Sequence, residues 1–177
     1  MKKFTLFLSA LLISAMTFAA DVDLVFNSED GLTALGIELP TTDGGNGAFM
    51  TELDDTKKYG SDVVMTITHG STKTRVWKKA GGDLDLRTYK SGGSLTLTAP
   101  EGNVITQVVF EGAKIVLTVD GVDVADKTWT GNAAAVTFAA TNTCNLPSPP
   151  LRGGTAISLQ GTEKTTGNRR AYGFNFT

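Results

Sequence analysis

Val63-Val64-Met65-Thr66-Ile67-Thr68, Thr74-Arg75-Val76-Trp77, Leu95-Thr96-Leu97-Thr98 and Val104-Ile105-Thr106-Gln107-Val108-Val109-Phe110 follow one another within residues 63–110, and their reading decides the fold. Each run alternates, or nearly alternates, apolar with polar side chains, and Gly or Pro punctuates the ends. Asp85-Leu86-Arg87-Thr88-Tyr89 reads as a fifth run of the same kind. A period of two built from β-branched and aromatic residues is the pattern of half-buried strands.

Outward from that stretch the chain stays β-rich. Val22, Leu24 and Phe26 share one face of a first strand. One short helix is expected next, because Asn27 and Ser28 offer an N-cap, Glu29 and Asp30 suit the first turn, Leu32 and Leu35 sit three apart, and Gly36 can close the end. Residues 41–47, with three glycines and an Asn, read as a loop, and 49–53 as a short strand. Ile115-Val116-Leu117-Thr118-Val119 is strongly β-branched, Asp120-Gly121 signals a tight turn, and 122–129 reads as the hairpin partner. Thr130-Gly131-Asn132 is expected to turn the chain into a strand over 134–140. Prolines 147, 149 and 150 mark 142–154 as an irregular loop, 156–159 reads as a strand, and Tyr172, Phe174 and Phe176 align on one face of a closing strand expected to dock in the core. Short strands at close spacing predict an all-β fold, an antiparallel β-sandwich or jelly roll with one short N-terminal helix.

Lys2 and Lys3, an apolar run over 4–15 and Thr17-Phe18-Ala19 have the form of a secretory signal peptide, expected to occupy 1–19 and to leave 20–177 as a single β-sandwich domain. The apolar run is shorter than the roughly 20 residues a transmembrane helix needs. The expectation is a secreted or cell-surface protein with no transmembrane helix. Loss of Lys2 and Lys3 leaves 14 basic residues against 18 acidic, and the lack of a basic stripe argues against a nucleic-acid partner. Cys144 is the only cysteine, so no intramolecular disulfide forms, and its expected place is a buried one.

Four side chains form the candidate ligand-binding set: Arg75 with Trp77, and Arg87 with Tyr89. Each pair is spaced by two, so each shares a strand face, and neighbouring strands would merge the two faces. Aromatic rings beside guanidinium groups suit sugar binding, through stacking and bidentate hydrogen bonds. The competing reading puts Trp77 in the core, with the arginines paired to Asp83 or Asp85, and the usual burial of large aromatics favours it.

Other constellations are weaker. His69 is the single histidine and follows a strand, so sites needing two histidines are excluded, and it reads as a satisfied strand-end residue. Asp83, Asp85, Glu101, Glu111, Asp120 and Asp123 are formally available as paired carboxylates for glycoside hydrolysis, but spacing does not set two of them face to face. Asp120, Asp123 and Asp126 offer oxygen ligands for Ca²⁺, yet a hairpin turn accounts for Asp120-Gly121 without a metal. Asp43-Gly44-Gly45-Asn46-Gly47 lacks the Gly-Lys-Ser/Thr ending of a phosphate loop. No catalytic set, metal site or cofactor is expected.

Thr74-Arg75-Val76-Trp77, Asp85-Leu86-Arg87-Thr88-Tyr89-Lys90, the run from Gly93 through Leu95-Thr96-Leu97-Thr98 to Gly102, Val104 to Phe110, Trp129-Thr130-Gly131 and Val136-Thr137-Phe138 together resemble secreted or cell-surface β-sandwich domains of Bacteroidetes-type bacteria, mostly uncharacterised. The resemblance covers roughly residues 60–140. It implies location and fold and carries no catalytic residue. The aromatic final strand departs from the Arg-Ile-x-Ser-Ile-x-Val type with which such domains commonly finish. The functional expectation is an exported, non-catalytic module with a binding or structural role at the cell surface, its candidate partners a polysaccharide or a surface protein, and its oligomeric state open. The alternatives are a secreted enzyme of the glycoside hydrolase type and a small outer-membrane barrel. A barrel would want strands of about 9 to 11 residues.

Overall fold

The computed structural model describes residues 21–110, 116–147 and 157–163. The expected leader at 1–19, the closing aromatic strand at 170–176 and Glu111 lie outside them. In chain order the elements are β1 (Asp21–Asp23), α1 (Glu29–Ala34), β2 (Thr42–Gly45), β3 (Ala48–Glu52), β4 (Val64–Thr68), β5 (Arg75–Lys78), β6 (Leu84–Thr88), β7 (Ser94–Thr98), β8 (Asn103–Phe110), β9 (Leu117–Val119), β10 (Val122–Asp123), a 3-10 turn (Ala125–Lys127), β11 (Thr128–Ala133), β12 (Ala135–Ala140), β13 (Cys144–Pro147) and β14 (Ile157–Glu163). They form three sheets, ordered β1-β14-β8-β11, β10-β9-β12-β7-β4 and β13-β6-β5-β3-β2. Every pairing is antiparallel. The protein is all-β, with one short helix, α1, among the described residues.

Alternation along the strands builds the interior. Met65 and Ile67 of β4, Leu95 and Leu97 of β7, Val136 and Phe138 of β12, Ile105, Val108 and Phe110 of β8, Val76 of β5, and Leu84 and Leu86 of β6 join one apolar cluster drawn from all three sheets. Phe138 is central to it: the Phe110 ring meets it edge-on at 4.8 Å and the Trp129 ring at 6.2 Å. Each large side chain removed from water there contributes roughly 1.5–3 kcal/mol. The polar partners of these residues face the other way, so that the hydroxyls of Thr96 and Thr137 meet at 2.8 Å on the outer face of the second sheet.

The helix forms as its sequence directs. Ser28 Oγ accepts the N–H of Gly31 at 3.0 Å, Glu29 and Asp30 lie in the first turn, and Gly36 closes the end at φ 72°. Leu32 and Leu35 turn into the core. Glu29 also reaches Lys78 Nζ at 2.7 Å and ties the helix to the third sheet.

Four sequence expectations are corrected. Residues 41–47 are not a loop: Thr42–Gly45 is a strand, and Asn46 and Gly47, both at positive φ (55° and 74°), make a two-residue turn into β3. The partner of β9 is only Val122–Asp123. Asp126 and Lys127 then adopt positive φ, and Thr128–Ala133 pairs with β8, which puts Trp129 in the first sheet. Thr130-Gly131-Asn132 is part of that strand and not a turn. Gly131 is there because the indole of Trp129 lies across it: a Cβ would stand 2.3 Å from Cζ2. Finally, Cys144–Pro147 pairs with β6 as an edge strand, the position in a sheet where a proline is tolerated.

Candidate functional site

The third sheet turns Val76, Leu84, Leu86, Thr74 and Thr88 into the interior. Its opposite face therefore carries Met50 and Glu52 of β3, Arg75 and Trp77 of β5, and Asp85 and Arg87 of β6. Register sets them side by side: Met50 lies opposite Trp77, Glu52 opposite Arg75, Trp77 opposite Asp85, and Arg75 opposite Arg87. Tyr89 follows immediately after β6. The structure thus brings all four sequence-predicted residues onto one face of adjacent strands.

Two arginines directly opposite one another on antiparallel strands repel. Here each turns away from the other. Arg87 lies back along β6, with Nε 2.7 Å from Asp85 Oδ1 and Nη2 3.1 Å from Oδ2, and its guanidinium covers the Trp77 ring at 4.6 Å from the centroid. Arg75 goes the other way: Nη2 is 3.3 Å from Glu52 Oε1, Nη1 is 3.1 Å from Met50 Sδ, Nε donates to the Lys73 carbonyl at 3.2 Å, and Cζ stands 5.8 Å over the Tyr89 ring. Each ring carries one guanidinium, and each guanidinium holds one carboxylate.

The two carboxylates are not equivalent. Asp85 is only 1% exposed, enclosed by Arg87 and by Lys79, whose Nζ is 3.5 Å away. Glu52 is open to solvent and binds Lys73 Nζ at 3.0 Å, and that hydrogen bond, aided by the charges of Lys73 and Arg75, holds its carboxyl below the usual carboxylate range. An exposed pair of this kind contributes little to stability, about 0–1 kcal/mol; the Asp85 cluster is the part that rigidifies the face.

Trp77 is half-buried, neither a core residue nor a bare platform. Its six-membered ring packs on the backbone of Gly44 in β2, where a Cβ would stand 2.4 Å from Cζ3. Its Nε1 is out of reach of water and has no hydrogen-bond partner among the described residues. The pairing of an arginine with Asp85 is present as expected. Asp83, by contrast, is exposed at the preceding turn, as are Glu101 and Asp120 at theirs and Asp123 in β10. Asp120 and Gly121 both adopt positive φ, the geometry of a two-residue hairpin turn.

Sequence reasoning missed Met50, Glu52, Lys73, Lys79 and Gly44 as members of this face. For Met50 and Glu52 the signal was present in their spacing of two along 48–52. Arg87 stands two positions from Asp85 on the same strand, whereas Lys79 comes just after the end of β5, and only the pairing of β5 with β6 brings it to Asp85. Comparison with family models, curated proteins and solved structures finds no match to this chain.

Proposed function

We propose that this chain is an exported, non-catalytic binding module whose contact surface is the Arg75/Trp77/Arg87/Tyr89 face, and that its ligand is a carbohydrate carrying carboxylate or sulfate groups. The observation that carries the reading is the guanidinium laid over each aromatic ring. A neutral sugar stacking on Trp77 would have to displace Arg87 from the ring. An anionic sugar instead meets a guanidinium already held in place, whose Nη1 donates to neither Asp85 oxygen. Charge favours the same ligand: Lys73, Arg75, Lys79 and Arg87 surround only Glu52 and Asp85, on a chain whose formal net charge is −2.

A non-catalytic role is supported by the state of those two carboxylates. Each is engaged by two cations, which suits a role in positioning the arginines. Export is supported by the signal-like residues 1–19, and a place at the cell surface by the resemblance to β-sandwich domains of that setting. The alternative of a purely structural role takes the same ladder as a device that stiffens the sheet.

Retention of the protein on immobilised polygalacturonate, beside the same polymer with its carboxyls methyl-esterified, tests the reading. The acid form should retain it, less so as salt rises, and the Arg75→Gln/Arg87→Gln double variant should elute early. Equal retention on both polymers would refute the anionic ligand, and retention on neither would remove the binding role.

A further inference from the structure

His69 stands at the root of the strand that presents Arg75 and Trp77. Its Nδ1 accepts the backbone N–H of Thr74 at 3.1 Å. A backbone amide can only donate, so this bond exists only while Nδ1 carries no proton. Thr74 is fully buried, and the start of β5 is seated through it. Its carbonyl accepts the N–H of Leu53 at 2.9 Å, its hydroxyl lies 3.3 Å from that of Thr88, and Arg75 comes next in the chain.

The other ring nitrogen faces acid. Nε2 is 3.9 Å from Asp55 Oδ2, and Asp54 and Glu52 are close enough to feel the charge of the ring. The cations nearby are already engaged, Lys73 and Arg75 on Glu52 and Lys57 beside Asp54. The chain just past β6 meets this turn through backbone: Ser71 N–H donates to the Lys90 carbonyl at 2.8 Å, and Gly70 fits so closely that a Cβ would stand 2.1 Å from the Tyr89 carbonyl oxygen. One face of the imidazole is thus turned to an amide donor and the other to a carboxylate.

We infer that His69 is an acid-operated latch on the start of β5, released when protonation of Nδ1 sets two donors face to face and swings the imidazolium toward Asp55, Asp54 and Glu52. Glu52 and Asp54 keep their charge where imidazoles titrate, because hydrogen bonds from Lys73 and Thr56 respectively hold both carboxyls below their ordinary range. The freed Thr74 amide is buried, so the 69–74 turn must shift to satisfy it. That shift acts on Arg75, and through it on the Glu52 and Tyr89 contacts, whatever ligand the face takes.

The sole histidine makes the test clean. Proton–nitrogen spectra of the full chain, followed as the solution is acidified until the single imidazole ring has charged, should show the Thr74 amide moving upfield in step with that ring, with the Arg75 and Tyr89 signals moving alongside. In His69→Asn the side-chain oxygen accepts the same N–H without titrating, so the Thr74 amide should stay fixed. A Thr74 amide that ignores the ring's titration, or one that moves equally in His69→Asn, would overturn the latch.

Discussion

Replacing Trp77 by Ala separates a packed, pre-ordered face from an idle one. Truncating a fully buried large aromatic costs about 3–5 kcal/mol; Trp77 is half-buried, which brings the packing loss to about 2 kcal/mol. The lost contact with the Arg87 guanidinium adds about 0.5–1 kcal/mol. Against this, the ring takes with it a buried indole N–H that has no hydrogen-bond partner among the described residues, a group whose desolvation costs about 1–3 kcal/mol. The net expectation lies between no change and a loss of about 2 kcal/mol, at most roughly 8 °C in melting temperature for a domain of this size. Trp77→Phe removes the N–H but also shortens the ring system that lies on Gly44, so its urea midpoint should fall between those of the wild type and Trp77→Ala. Urea titrations read by the remaining Trp129, with equal slopes in all three proteins, give both numbers. Trp77→Phe as costly as Trp77→Ala would refute the argument, since the retained phenyl ring would then contribute nothing to the packing.

Gly44→Ala should cost about 1–3 kcal/mol by driving a methyl group into the Trp77 ring, and most of that cost should vanish in the Gly44→Ala/Trp77→Ala pair; additive losses would contradict the contact. Asp85→Ala should be the most damaging single change on this face, about 2–3 kcal/mol by denaturant titration, because it strands Arg87 and Lys79, both still partly in water, without their shared anion. Glu52 has its pKa lowered on folding, so its contribution is present above the ordinary glutamate pKa and is lost as pH falls through the lower folded value. Stability should therefore decline below about pH 4.3, and Glu52→Gln should flatten that part of the curve.

Much of the β architecture was legible because it depends on period-two alternation: β4, β5, β6, β7, β8 and β12 all fall where Met65, Val76, Leu86, Leu97, Val108 and Phe138 alternate with polar neighbours. The helix was legible for a local reason too, its Ser28 cap. What escaped the sequence depended on contacts made at a distance. The glycines of β2 look like a loop until Trp77 is seen lying on Gly44, and Gly131 looks like a turn until Trp129 is seen lying on it. The crossing of 128–133 to the first sheet is set by which sheet offers β8 as a partner, and no local signal marks that choice. The same division holds for the site. Strand alternation and the short 79–83 connection place Arg75, Trp77, Arg87 and Tyr89 together, but that each ring would carry a guanidinium held by Glu52 or Asp85 follows only from the register of β3, β5 and β6.

The most direct test of the proposed binding face uses the chain's two indoles, Trp77 on the third sheet and Trp129 on the first. In a titration of the full chain with oligogalacturonate, the Trp77 Nε1–H resonance and the Arg75 and Arg87 Nε–H resonances should shift and saturate together while the Trp129 indole stays in place. Binding that leaves Trp77 and both arginines unmoved would contradict the assignment of this face as the ligand surface.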